Sequence, residues 1–213
     1  AYEVGIIPMP DALSQLTIFY TAHIQGDLAL LPRLYTFIQQ QMTALGVKPL
    51  LLDLGESCVP DVWPCGVTGG RSTLIVLDGM GYHAANVEGV LAERERYKLS
   101  GAISLGLVDA RYSWRYNVPP VQDDDIVVSL QPTPAIGLNI VLQPASATTL
   151  QDRVLHLKTV EKRQLGMATI DLTNEPILLS HQVLDMLPNL SPDATISAAV
   201  SFVEDEARYL ENR

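Results

Sequence analysis

The chain has 213 residues, 47% of them apolar and 18% charged, which is enough material for a substantial core and excludes a wholly disordered polymer. With 24 acidic and 14 basic residues the formal net charge is −10. That excludes a general binder of nucleic acid or anionic membrane, since a phosphate backbone demands clustered Lys and Arg. No run of about 18 apolar residues occurs, so no membrane-spanning helix is expected.

Residues 1–15 read as an irregular lead-in punctuated by Pro8 and Pro10. Ala1-Tyr2-Glu3-Val4 lacks an initiator Met and reads as a processed or trimmed start, which leaves both a cytoplasmic and an exported origin open. Leu16–Tyr20 is a short strand. Leu28–Leu45 places Leu31, Leu34, Tyr35, Ile38, Met42 and Leu45 at helical spacing and stops at Gly46. Val47–Leu54 is almost continuously apolar, as a parallel strand buried on both faces requires. Ser57–Gly70 reads as a loop rich in Pro, Gly and Cys. Its Cys58 and Cys65 are the only cysteines, and they could form a disulfide or stay reduced. Their spacing is not that of a zinc motif.

Ser72–Met80 reads as a helix, Ala84–Val87 as a short strand and Val90–Tyr97 as a charged helix. Gly101–Val108 alternates toward another strand, and Asp109–Gln122 is a connector carrying Tyr112, Trp114 and Tyr116 between Arg111 and Arg115. Aromatic and basic residues in alternation suit base stacking, but the net charge favours packing of a half-buried strand. Asp123-Asp124-Asp125 lacks the spacing of a calcium loop and reads as a solvated turn. Asp125–Leu130, Gly137–Leu142, Arg153–Val160 and Leu165–Leu172 read as successive strands. Ser191 and Pro192 read as the N-cap and first residue of a last helix, with Ile196, Val200, Val203 and Leu210 on its apolar stripe. The basic groups Arg94/Arg96/Lys98 and Lys158/Lys162/Arg163 are interleaved with glutamates or apolar residues and read as solvated faces.

Chemistry is suggested by three strand-to-loop junctions. The first strand runs into Thr21-Ala22-His23-Ile24-Gln25-Gly26, the second into Asp53-Leu54-Gly55-Glu56, and a third element precedes Gly81-Tyr82-His83-Ala84-Ala85-Asn86-Val87-Glu88-Gly89. This series resembles the calcineurin-like metallophosphoesterases of the 5'-nucleotidase type. Their blocks have the forms Thr-x-Asp-x-His-Gly, Asp-x-Gly-Asp, and Gly-Tyr-Asp-Ala followed by Gly-Asn-His-Glu. The resemblance extends over roughly residues 16–205 and includes Val160–Ile170 and the last helix. It implies an α/β fold, a metallophosphoesterase-like layered β-sheet sandwich flanked by helices, as a single domain over residues 1–213. The family's later histidine motifs have no counterpart before the chain stops, which leaves truncation at the C-terminus open. Ile177–His181 has the form of the first of them, but before rather than after the last helix.

The ligand positions depart from the family's pattern. His23 stands for the first aspartate, Gln25 for the histidine and Glu56 for the bridging aspartate; His83 replaces another aspartate, and Glu88-Gly89-Val90 replaces Gly-Asn-His. A two-metal phosphoesterase holds its ions about 3.5–4 Å apart with a bridging carboxylate and several imidazoles. His23, Gln25 and Glu56 are remnant metal positions, and Asp53, His83, Asn86 and Glu88 line the cleft. The expectation is a degenerate, non-catalytic domain serving as a binding or structural module, without a cofactor or with at most one divalent ion (Mn, Zn or Mg). The alternative is a metal-dependent phosphohydrolase acting on nucleotides or related phosphate esters with an atypical ligand set; a small-ligand sensor is a third class. The partners expected are a protein or a small phosphorylated ligand, with no nucleic acid. Neither a Gly-x-Ser-x-Gly elbow nor a phosphate-binding Gly-Lys-Ser/Thr loop is present, and Thr68-Gly69-Gly70-Arg71-Ser72 reads as a flexible lead into a helix.

Overall fold

The computed structural model describes residues 15–116, 126–134 and 137–213. Almost the whole lead-in, the acidic turn Asp123–Asp125 and the end of the aromatic connector lie outside the described residues. Among the described residues the strands are β1 (Gln15–Thr21), β2 (Leu50–Asp53), β3 (Ala84–Asn86), β4 (Gly106–Val108), β5 (Trp114–Tyr116), β6 (Ile126–Ser129), β7 (Leu138–Ala145), β8 (Thr149–Gln151), β9 (Val154–Lys158), β10 (Gln164–Asp171) and β11 (Ile177–Asp185). The helices are α1 (Leu31–Leu45), α2 (Cys65–Thr68), α3 (Arg71–Gly79), α4 (Glu93–Ser100) and α5 (Ala194–Glu211).

Two mixed sheets result. One has the order β11-β10-β1-β2-β3-β4, with β1 to β4 mutually parallel, and the other β5-β6-β7-β9-β8. Side chains alternate across a strand, so the first sheet feeds two cores. Phe19, Leu51, Ala85, Leu107 and Met167 face α1, α3 and α5. Ile18, Tyr20, Leu50, Leu52, Ala84 and Val108 face the second sheet, against Ile126, Val128, Ile140, Leu155 and Leu157. The continuous apolar run of β2 is explained by this double burial. Parallel strands β1 and β2 end at the same edge, which brings the loops after them together.

Local signals account for most boundaries. Gly46 closes α1 in the left-handed conformation, φ 63°, where a β-carbon is disfavoured. Upstream, Leu28–Leu30 forms a separate 3-10 turn before α1. The cap of α5 is Asp193, whose side chain accepts from the Ile196 amide, rather than Ser191; the Ser191 carbonyl instead accepts from Thr36. The aromatic connector contains edge strand β5, and the Pro/Cys loop contains α2 and a Cys58–Cys65 disulfide. Short β8 and edge strand β11 carry no clean period-2 pattern, and their pairing with β9 and β10 decides them.

Gly166 shows how tightly the sheets pack. It pairs with Tyr20 across β1 and β10, and a β-carbon there would lie 2.1 Å from the Tyr20 ring. Tyr20 is fully buried, its hydroxyl fixed by the Lys158 carbonyl and His181, so the ring has nowhere to go. Gly166→Ala is expected to lower stability by about 2 kcal/mol, read as a lower urea midpoint at unchanged slope; an unchanged midpoint would show that the ring moves freely.

Candidate functional site

The loops after β1 and β2 are zipped together beyond the strand ends. The Leu54 amide donates to the Thr21 carbonyl (2.8 Å), His23 to Gly55 (3.0 Å), Gln25 to Glu56 (2.8 Å) and Gly26 to Ser57 (2.9 Å). To make this contact, His23 (φ 56°), Gln25 (φ 56°) and Glu56 (φ 54°) all take the left-handed conformation. Each costs a non-glycine residue about 1 kcal/mol or more. Gly26 is also left-handed, φ 78°, and a β-carbon on it would meet Cys65 Sγ at 2.5 Å. The disulfide is therefore packed directly beneath the first loop.

The strained residues converge on one carboxylate. Glu56 Oε2 lies 2.7 Å from His23 Nδ1 and 3.2 Å from the Gln25 amide nitrogen. His23 Nε2 lies 3.1 Å from the Thr159 hydroxyl, just past β9. Hydrogen bonds from His23 and then Gln25 hold the Glu56 carboxyl below its ordinary value. An ionised carboxylate only accepts, so Nδ1 carries a proton, and in the neutral ring Nε2 accepts from the Thr159 hydroxyl. The His23 side chain is 30% exposed and that of Glu56 57%. A pair this open to water contributes about 0.5 kcal/mol, so it sets geometry more than stability.

The structure thus brings His23, Gln25 and Glu56 together, and adds Thr159, which sequence reasoning missed. Thr159 is 136 positions from His23 and belongs to no motif. Asn86 lies at the same end of the sheet, but its amide serves the Leu54 carbonyl and the Glu88 amide, a bracing role. Exposed Glu88 accepts from the Ala110 amide. His83 is not brought to the cluster. It precedes β3 opposite Leu51, exchanges hydrogen bonds with that residue and faces Trp114 and Tyr116. Burial pushes its imidazole below the ordinary range. His181 lies on edge strand β11 against Tyr20; burial pushes the Tyr20 phenol up to about 12.

Asp53 is the most unusual group near the cluster. It ends β2, is fully buried, and neither carboxylate oxygen has a donor in hydrogen-bonding geometry among the described residues. Desolvation pushes its carboxyl well above the ordinary range, and the Gly55 amide only partly offsets this. The Ser57 hydroxyl is likewise buried with no partner among the described residues.

This donor set does not fit a two-metal centre. Glu56 is the single carboxylate of the cluster, the Gln25 amide binds hard cations weakly, and both His23 nitrogens are engaged by protein groups. Asp53 is fully buried at the end of β2. Among the described residues no group of three or more His, Cys, Asp or Glu side chains is placed to share an ion.

No family model matches the sequence, and no curated protein does. Solved structures match in fold. The NAD nucleotidase NadN of Haemophilus influenzae superposes with a TM-score of 0.52 at 8% identity, over 92% of this chain and 60% of that one. The 5'-nucleotidase precursor of Thermus thermophilus gives a TM-score of 0.59 at 13% identity, over 93% and 60%. The fold is therefore that of the 5'-nucleotidase-type metallophosphoesterases, and the chain spans about three-fifths of the length of each matched protein.

The Asp53 carboxyl yields a prediction with a definite sign. Its folded-state pKa is raised, so the stability it allows is complete below the unfolded value of about 3.9 and is lost as pH rises toward the folded value, by up to about 1.4 kcal/mol per pH unit. Partly buried His83 and His181 have lowered values and act oppositely below about pH 6.5. The difference between wild type and Asp53→Asn isolates the carboxyl. Denaturation from pH 4 to 8 should show wild type losing stability relative to Asp53→Asn; parallel curves would refute the assignment.

Proposed function

We propose that this chain is a degenerate metallophosphoesterase-like domain, non-catalytic toward phosphate esters, that acts as a binding or structural module. One observation carries this reading: the residues at the old ligand positions satisfy one another. His23 and Gln25 both donate to Glu56, and the remaining His23 nitrogen is taken by Thr159. An ion would have to break these bonds and would gain one carboxylate, one amide and one imidazole in return. In-line attack by a metal-bridging hydroxide needs a pair of ions held by several anionic and imidazole ligands. The moderate fold similarity at 8% and 13% identity supports descent of the scaffold alone.

The layered core supports the same reading, since it does not depend on the site. The cores on the two faces of the first sheet are apolar and continuous, so a metal is not needed to hold the loops. The disulfide and the backbone zipper between the loops do that.

The test is metal content after incubation with excess Mn²⁺ or Zn²⁺ and removal of free ion, with nucleotide and phosphodiester hydrolysis measured on the same sample. Near-zero metal and no hydrolysis are expected. About two ions per chain, with hydrolysis abolished in Glu56→Ala, would overturn the reading in favour of an atypical phosphohydrolase.

A further inference from the structure

Glu56, His23 and Thr159 form a continuous relay: carboxylate to Nδ1 at 2.7 Å, then Nε2 to hydroxyl at 3.1 Å. Both contacts lie within the reach of about 2.6–3.2 Å that general-base activation requires. The order of roles is that of a nucleophile, a base and a group that orients the base. The tautomer is also the productive one. In the neutral ring, whose Nδ1 proton Glu56 accepts, the lone pair that could take a proton points at the Thr159 oxygen.

Building on the reading that His23 is not a metal ligand, we propose that Thr159 is a metal-free nucleophile that His23 activates and Glu56 orients, and that it takes the acyl group of small activated esters. Thr159 Oγ1 forms a bond to the acyl carbon as the ester C–O bond breaks. The hydroxyl proton passes to His23 Nε2 and then to the departing alkoxide. Water, deprotonated by the same nitrogen, later releases the acyl group as a carboxylic acid and restores the threonine.

Three further features support this assignment. The Thr159 amide donates to the Ala145 carbonyl, so the residue is anchored to β7. The Glu56 side chain is exposed and His23 and Thr159 are half-buried, so the relay lies at the surface rather than in the core. The base is held in a left-handed backbone conformation, the sort of local strain that persists only where surrounding structure enforces it. Other candidate pairs fail on the same criteria. Tyr20 donates to the Lys158 carbonyl, so the His181 nitrogen facing it must be the donor. Ser57 is buried with no partner among the described residues, and both cysteines are in the disulfide.

The relay includes no assigned oxyanion donor, and each such donor is worth about 10²–10³ in rate. Acylation is therefore expected to be slow and to accumulate as a covalent adduct before turnover. The probe is p-nitrophenyl acetate, used with the whole chain in excess EDTA, with intact-mass detection of the acetyl adduct and peptide mapping. Wild type and Thr159→Ser are expected to carry one acetyl group on residue 159, and Thr159→Val none there. His23→Asn, whose new side chain tolerates the left-handed backbone, should label at least about 100-fold more slowly, and circular dichroism checks that each variant is folded. Acetylation confined to lysines, or residue 159 labelled equally in His23→Asn, overturns the proposal. Because the labelling contains no free metal, it can fail while the metal-content test still holds, and the reverse.

Discussion

Everything at this site depends on the hydrogen bonds that zip the loop after β1 to the loop after β2. They extend a parallel strand pair past its ends, where the backbone would otherwise separate. Holding that path forces His23, Gln25 and Glu56 into left-handed conformations, at a combined cost of about 3 kcal/mol. Backbone bonds contribute about 1 kcal/mol each net, so the zipper roughly offsets the strain it imposes. The side chains are then aimed at one point whatever their chemistry.

Backbone path and packing hold these loops independently of the side chains that meet at the cluster. The Asp53-Leu54-Gly55-Glu56 turn keeps its shape because Gly55, at φ 132°, lets Asn86 approach, where a β-carbon would lie 2.9 Å from the amide. Gly26 is needed by the disulfide beneath it. These constraints concern backbone path and packing, and none of them requires a metal. The side chains of His23 and Gln25 take no part in them.

The strands and helices of the core were legible where burial leaves a pattern. The apolar run of β2, the Gly46 stop of α1 and the stripe of α5 read correctly from sequence, whereas the helix expected from Leu28 starts at Leu31 and its last apolar position, Leu45, is exposed. The caps were less legible, because Ser191 and Asp193 are both competent and only the tertiary contact with Thr36 separates them. Edge strand β11 was missed since an edge is defined by its neighbour β10 rather than by its own residues. At the site, motif order alone brought His23, Gln25 and Glu56 together. It could not place Thr159, which arrives from the other sheet, and it grouped His83 with them although strand direction puts that residue upstream at the level of Leu51. The disulfide stayed open in sequence because two cysteines in a loop fix no distance.

The central claim is that both nitrogens of the His23 ring are committed to protein partners. Nitrogen NMR of the imidazole, recorded while Mn²⁺ is titrated in, tests it most directly. The account predicts a ring protonated at Nδ1, with signals that persist unbroadened as the ion is added. Selective broadening of the His23 ring at substoichiometric Mn²⁺ would contradict it, because the ring would then be a metal ligand.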